Sequence, residues 1–271
     1  MGKLGKIYNW IKDRGLLWTI LYTLRLFVCK YVVSSLEKYL IHIEKRKFLT
    51  GNELLSSSCL TIALNREMWN WYNWQSGGEE WTQEAKRYKN LDPNLWKKSL
   101  INKMILKYIK KGSTILEIGP GAGRWTEVLL TISDRMLIVD ISERALELCK
   151  EKFKAYSNIE YYLINDPKLD FIRDNSIDYI WSYDVFVHIN PTDIEKYIAE
   201  FQQILKPNGC GIIHHAGTYK HEEQARKIVH RSYMDGKFFM HLVQKYNMKI
   251  IEQDDSLAHM PGDLISVFVK P

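Results

Sequence analysis

From about residue 95 onward, short apolar runs rich in β-branched residues alternate with segments whose apolar positions recur every three or four residues. The spacing predicts a helix near residues 95–110, then a strand over 113–119 that ends in glycine. A helix over 124–132 precedes a strand at 136–140. Ser142 stands where its hydroxyl can accept a free N–H from the first turn of a helix over 143–156. Ile159–Leu163 and Ile177–Ser182 read as the third and fourth strands, and Pro191 opens a helix to about Leu205. Lys206-Pro207-Asn208-Gly209 turns into a fifth strand that closes at His214-His215. A long helical segment then leads to strands at 249–252 and 264–269. Strands that alternate with helices return to the same end of a sheet, so the fold class expected is α/β, a mostly parallel sheet with helices on both faces.

The first third of the chain has a different texture. Ile7, Trp10, Ile11, Leu17, Ile20, Leu21, Leu24, Phe27, Val28 and Tyr31 recur at helical spacing, and Arg25 and Lys30 interrupt what is otherwise the longest apolar run. That run falls short of the ~18 uncharged residues of a spanning helix. Residues 1–50 carry ten Lys/Arg against three Asp/Glu, whereas the other 221 carry 28 against 29. The whole positive excess of the chain therefore sits on one amphipathic segment, which suits either a helix packed on protein or one lying at an anionic membrane surface through residues 1–35. Trp69-Asn70-Trp71-Tyr72-Asn73-Trp74 and Gly77-Gly78 follow, reading as an aromatic core edge or as a lid with a glycine hinge. Three regions result: a basic helical region 1–50, an aromatic lid or bridge 51–94, and an α/β domain 95–271.

Composition narrows the class without changing this layout. With 46% hydrophobic and 26% charged residues in 271, the chain is globular and not disordered. Cys29, Cys59, Cys149 and Cys210 are too widely spaced for a zinc knuckle or a CxxC motif, which points to reduced packing thiols and a cytoplasmic protein. No metal site is expected.

The chemistry begins at Glu117-Ile118-Gly119-Pro120-Gly121-Ala122-Gly123-Arg124. Glycines at alternate positions after a strand let the backbone turn tightly and approach a ligand. Asp140 ends the next strand at the offset where a carboxylate accepts from ribose hydroxyls, so a nucleoside-containing cofactor is expected. A dinucleotide fingerprint would place its last glycine at 124, where this chain has arginine. Residues 112–217 resemble the core of class I S-adenosylmethionine-dependent methyltransferases, with Val139-Asp140-Ile141-Ser142 as the second motif, Asn165-Asp166 as the third, and residues 178–189 as the fourth-strand motif. The string Gly119–Thr126, with Trp81-Thr82 upstream, is also similar to bacterial methyltransferases associated with surface-polysaccharide synthesis. The resemblance implies a Rossmann-like sheet of seven strands with the last one antiparallel. It implies S-adenosyl-L-methionine held by Glu117, Gly119, Gly121, Gly123, Asp140, Ile141, Asp166 and Ser182, with Asp166 at the adenine.

A hydroxyl acceptor must lose its proton as it attacks, and histidine is the usual base near neutral pH. His188 follows the fourth strand and His214-His215 close the fifth, at the end of a parallel sheet where ligands bind. Strand alternation allows only one of the latter pair to face the acceptor. The expected catalytic set is His188, then His215, with Asp184 as the orienting carboxylate. The expected activity is O-methylation of a sugar or other small-molecule hydroxyl, including a lipid-linked or phosphorylated glycan. The alternatives are a small-molecule N-methyltransferase, a nicotinamide-dependent oxidoreductase and a non-catalytic cofactor-binding subunit. Basic charge confined to an apolar helix argues against nucleic acid as the partner. The oligomeric state is unknown at this stage.

Overall fold

The computed structural model describes residues 62–74, 77–217, 232 and 234–271, together with Leu16, Ile20 and Leu24. The chain divides into two compact units, Met1–Ser56 and Ser57–Pro271. In the first, Leu16, Ile20 and Leu24 are helical and exposed, and their spacing of four puts them on one helical face. The rest of the basic region expected over 1–50 lies outside the described residues, as do the first eleven residues of the bridge and residues 218–231 of the helical segment expected before Lys249. No helix among the described residues is long and apolar enough to cross a membrane.

In the second unit, β1 (Ser113–Ile118), β2 (Ser133–Asp140), β3 (Ile159–Leu163), β4 (Ile177–Ser182), β5 (Leu205–Ala216), β6 (Lys249–Asp254) and β7 (Asp263–Val269) form one sheet in the order 3-2-1-4-5-7-6. The first five strands are parallel, and β7 runs antiparallel to both β5 and β6. This is the expected Rossmann-like arrangement. The period of two along the strands divides the core cleanly. Leu116, Ile118, Leu137, Val139, Ile180 and Ile213 pack on one face, and Ile115, Met136, Ile138, Trp181 and Ile212 on the other. Each fully buried aliphatic side chain contributes roughly 1.5–3 kcal/mol, so strands apolar on both faces are stable only between two helical layers.

Two segments differ from expectation. Lys206-Pro207-Asn208-Gly209 lies inside β5, where the pairing register with β4 shifts between Ile177 and Tyr179. Asn208 takes a left-handed conformation (φ 65°) and its N–H donates to Lys270 O (2.7 Å), so the run is an irregular strand start and not a free turn. The helix expected over 95–110 is shorter as a regular helix. Asp92 caps it by accepting the N–H groups of Asn94 and Leu95, and after Leu100 the chain widens into a π turn over Ile101–Ile105.

The described helices are α1 (Ile62–Trp71), α2 (Glu84–Lys89), α3 (Pro93–Leu100), α4 (Thr126–Leu129), α5 (Glu143–Lys152), α6 (Pro191–Ile204) and α7 (Gly236–Lys245), besides the short stretch Leu106–Tyr108. Ser142 caps α5 as expected, its hydroxyl accepting the Ala145 N–H at 3.1 Å. Helix α1 matters most for the site, because three of its side chains reach three different strand ends. Asn70 Oδ1 accepts from Ser142 Oγ (2.8 Å) and the Arg144 N–H (3.3 Å) after β2. Arg66 donates to Asn165 O (3.2 Å) after β3, and Asn65 donates to His188 O (3.2 Å) after β4. The aromatic segment is thus fastened as a roof over the carboxyl ends of the parallel strands, where ligands bind in open α/β sheets.

Candidate active site

At the end of β1 the backbone passes through three left-handed glycines, Gly119 (φ 70°), Gly121 (φ 58°) and Gly123 (φ 84°). Any other residue there costs about 1–2 kcal/mol in backbone strain alone. Space is equally restrictive: a Cβ on Gly119 meets Val185 at 2.3 Å, and one on Gly121 meets the Trp74 ring at 2.7 Å. The loop and the roof enclose a cavity of about 340 Å³. Its wall includes Gly119, Gly121, Asp140 and Ile141 on one side and Arg124, Tyr183, Asp184, His188 and His259 on the other. Trp69, Trp74 and Trp81 cover it, in ring contact with one another or with Tyr72 (centroids 4.8–6.2 Å apart). Gly77 and Gly78, both with positive φ, sit where the roof segment bends back toward the loop.

The structure divides the expected cofactor residues into wall and support. Asp140 faces the cavity. Its Oδ1 accepts the Ser142 N–H (2.8 Å), yet burial outweighs its backbone hydrogen bonds and pushes its pKa up to about 7. Ile141 is on the wall beside it. Glu117 lies behind the loop, where it accepts from Thr126 Oγ1 (2.6 Å) and ties β1 to α4. Burial pushes its pKa to about 8, so near neutral pH it is largely a neutral acid. Ser182 donates to Ile118 O (2.9 Å) between strands, off the cavity. Asp166 is exposed and lies outside the wall, which Ile164 lines instead.

The other half of the cavity is a charged cluster. Asp184, directly after β4, is itself in the left-handed region (φ 65°), a strained conformation that short polar side chains tolerate best. Its Oδ2 accepts from Arg124 Nη2 (2.6 Å), while Oδ1 lies 3.2 Å from His214 Nδ1 and 3.3 Å from His259 Nδ1. Burial alone would raise the Asp184 pKa, but His259, the His214 hydrogen bond and Arg124 together hold it well below the usual carboxylate range. His214 is buried behind the wall, with Nε2 3.4 Å from Asp263 Oδ2 and Tyr183 stacked on its ring at 4.2 Å. Burial opposes its charging, yet the two neighbouring carboxylates, Asp184 and Asp263, outweigh that and raise its pKa. Its Nδ1 also accepts the Asp184 N–H (3.1 Å), a role that belongs to the neutral ring. Burial lowers the His259 pKa to about 4, leaving a neutral imidazole at the wall.

Several expectations are corrected here. Asp184 does not orient His188: among the described residues no hydrogen bond joins them, and the carboxylate is taken by Arg124, His214 and His259. His188 does line the cavity, its ring against the edge of Trp69 at 5.4 Å. His215 points to the opposite face of the sheet, where Nε2 meets Ser266 Oγ (2.7 Å), Nδ1 meets Ala216 O (2.6 Å), and the ring stacks on Phe239 at 3.9 Å. Burial lowers its pKa to about 3, and a neutral, hydrogen-bonded histidine away from the cavity is a packing group. Strand alternation separates the two neighbours as anticipated, but neither His214 nor His215 is on the wall.

Sequence reasoning missed His259 and the role of Arg124. His259 sits in the β6–β7 connection with no motif around it, so nothing local marks it. Arg124 had a signal, being the residue that directly follows the glycine loop. Asp184, His214 and His259 also place ligand atoms within 4.8 Å of one another, close enough for a metal ion. Arg124 already neutralises that carboxylate, and the Asp184 amide already engages His214 Nδ1. Cys149 and Cys210 are buried free thiols; Cys29 and Cys59 lie outside the described residues.

Residues 115–209 match the family model described as a methyltransferase domain. Phosphoethanolamine N-methyltransferase 1 of Triticum aestivum is 24% identical over 169 residues, which cover 61% of this chain and 34% of that protein. The ubiquinone/menaquinone biosynthesis C-methyltransferase UbiE of Klebsiella pneumoniae is 31% identical over 121 residues, covering 42% of this chain and 46% of that protein. The chain spans about a third of the length of the first curated relatives it matches (34% and 33%). Among solved structures, the complex of the Haloferax volcanii Trm112 methyltransferase activator with a methyltransferase gives a TM-score of 0.54 at 18% identity, covering 71% of this chain and 97% of that one. A SAM-dependent methyltransferase structure from Aquifex aeolicus gives 0.51 at 16% identity, covering 67% and 100%. These structures share the fold of the second unit.

Proposed function

We infer that this chain is an S-adenosyl-L-methionine-dependent methyltransferase that transfers to a hydroxyl of a sugar or other small molecule. The observation that carries the reading is one cavity whose wall joins the glycine loop and Asp140 to His188 and His259. The residues fit the cofactor. Gly119 and Gly121 leave the backbone bare for close approach, Asp140 offers a carboxylate to ribose hydroxyls, and Val139, Ile141 and Ile164 supply an apolar wall for a nucleobase. When bound, S-adenosyl-L-methionine supplies a methyl group on a sulfonium. The chain itself orients the acceptor, excludes water through the Trp69–Trp81 roof, and takes the acceptor proton at a ring nitrogen of His188. His259, a neutral imidazole held at Asp184, is the second candidate base, in place of His215.

A second reading, transfer to an amine, is favoured by the roof, because a cage of Trp and Tyr faces attracts cationic groups. It also agrees with the N-methyltransferases among the relatives. The larger picture we propose is a cytoplasmic enzyme, peripheral at the membrane through residues 1–35. A lipid-linked or phosphorylated glycan as substrate would be drawn to that basic segment. Exposed Leu16, Ile20 and Leu24 on one helical face support an interfacial helix.

The test is calorimetric titration with S-adenosylmethionine, S-adenosylhomocysteine and NAD. Micromolar binding of the first two without NAD is expected, followed by methyl transfer in a screen of glycan and amine acceptors. Binding of NAD alone would replace the reading with a nicotinamide oxidoreductase. Cofactor binding with no transfer to any acceptor class would leave a cofactor-binding subunit.

A further inference from the structure

A second cavity, of about 500 Å³, opens near the amino ends of β1, β2 and β5, at the opposite end of the sheet from the roofed one. Arg135 in its wall is five residues of β2 from Asp140 at the other cavity, roughly 17 Å of strand, and the two cavities share no lining residue. Its charged groups are Arg135, Arg173 and Lys206, and among the described residues no carboxylate lines it. Residues 51–271 carry 28 Lys/Arg against 29 Asp/Glu, so three cations without an acid on one wall are a local separation of charge. The acids that pair with two of these cations are off the wall, and they leave donors over. Glu160 accepts from Arg135 Nε (2.6 Å), which leaves both Nη groups. Asp178 accepts from Lys206 Nζ (2.7 Å), while its other oxygen takes the Thr114 N–H (2.9 Å). The Arg135 and Lys206 side chains are 49% and 40% exposed, so their remaining N–H groups are within reach of a ligand. Arg173 is exposed, and its guanidinium has no partner among the described residues. Ion pairs this exposed add little to stability, so holding the fold together does not account for the cluster. A phosphate presents acceptors on several sides, which suits two guanidinium forks and an ammonium better than one planar carboxylate does. The rest of the lining is apolar, with Leu137, Ile172 and the stacked rings of Tyr162 and Phe171 (centroids 4.4 Å apart), and accommodates an organic body.

We propose that this second cavity binds a small phosphate monoester, with its phosphoryl oxygens on Arg135, Arg173 and Lys206 and its organic part against Tyr162 and Phe171. A concave site of this size fits a small molecule, whereas a nucleic-acid strand needs a continuous basic groove. Because the cavity opens at the other end of the strands, its ligand is a second molecule and not the group held at His188. The site does not rest on the methyltransferase reading.

The experiment titrates the full chain with phenyl phosphate, inorganic phosphate and uncharged phenol, followed by calorimetry and phosphorus NMR. Beside the wild type stand Arg173→Gln, Arg135→Gln and a charge control, Lys154→Gln, whose side chain is 72% exposed and on neither cavity wall. Arg173→Gln and Arg135→Gln should each weaken phenyl phosphate at least about fivefold, while Lys154→Gln leaves it unchanged. Phenol should not bind, and inorganic phosphate should bind more weakly than its phenyl ester. Arg173 is exposed and unpaired, so its variant carries the test even if Arg135→Gln fails to fold. No binding of phenyl phosphate to the wild type at millimolar concentration would overturn the proposal. An equal loss in Lys154→Gln would do the same, since it would show diffuse surface charge. So would equal affinity for the two phosphates, which would leave no place for the ester. If Arg173→Gln weakens binding of an oligonucleotide or anionic vesicles but not of phenyl phosphate, the patch serves a macromolecule and the small-molecule site is lost. S-adenosylhomocysteine affinity should be the same in all four proteins, so a wild type that does not bind it sinks the methyltransferase reading separately.

Discussion

Between Glu117 and Ser142 a single strand–loop–helix–strand unit builds the half of the cavity that we assign to the cofactor, and nearly everything it needs is local. Three glycines reach conformations other residues avoid, and a carboxylate ends the next strand. The charged half, which we assign to the acceptor, is assembled from four separate places: Arg124 after the glycine loop, Tyr183 and Asp184 after β4, His214 behind the wall in β5, and His259 between β6 and β7. The first half works through backbone shape, the second through charges that would each be costly to bury without the others. The comparison teaches that the two halves should fail differently when perturbed. Damage to the loop should weaken the cofactor, whereas damage to the cluster should weaken the fold or the chemistry.

The largest expected effect tests the chemistry. His188→Ala should lower turnover by about 10²–10⁴-fold while leaving S-adenosylhomocysteine affinity unchanged, read from transfer assays beside calorimetry. An equal loss in both would make His188 part of the cofactor wall. Next, Asp184→Asn leaves Arg124 buried without its counter-charge, and should cost about 3–5 kcal/mol, seen as a large drop in melting temperature. A melt within a degree or two of wild type would mean that the cluster is not a stability unit. Gly119→Ala forces a side chain into left-handed backbone and against Val185, so it should weaken S-adenosylhomocysteine at least about tenfold through roughly 1–2 kcal/mol of strain plus the clash. Loss of folding without selective loss of affinity would blur the distinction between the halves.

The smallest effect at any one pH concerns Glu117. Its folded-state pKa of about 8 lies above its ordinary 4.5, so the folded protein holds a proton that the unfolded chain releases. This contribution is fully present below about pH 4.5 and is lost as the pH rises toward 8, at up to about 1.4 kcal/mol per pH unit. Glu117→Gln should therefore show a flatter fall of stability across that window than the wild type in denaturant titrations. Identical slopes would mean that Glu117 is ionised in the fold.

Much of this was legible along the chain. The third and fourth strands stand at the residues the apolar pattern marked, Ser142 caps the helix it precedes, and Asp140 opens onto the cavity beside Gly119 and Gly121. Periodicity, capping and left-handed glycines are local requirements, decided within a few residues by sterics and by which backbone groups lack partners. Asp166 and Ser182 were assigned through likeness to a motif, and one proves exposed while the other serves a strand-to-strand hydrogen bond. For Asp184 the pattern showed an acidic residue near a histidine but not which histidine. It lies four residues from His188, yet its partners stand 30 and 75 residues further along the chain and 60 residues before it. The sequence by itself determined the sheet, the loop and the carboxylate that ends β2 at the cavity, because those follow from short-range backbone geometry and strand period. Only the tertiary structure decided that His215 packs, that His259 reaches the wall and that Arg124 pairs with Asp184. Strand order and connecting loops bring those groups together, and the energy of a buried charge depends on neighbours that no stretch of sequence contains.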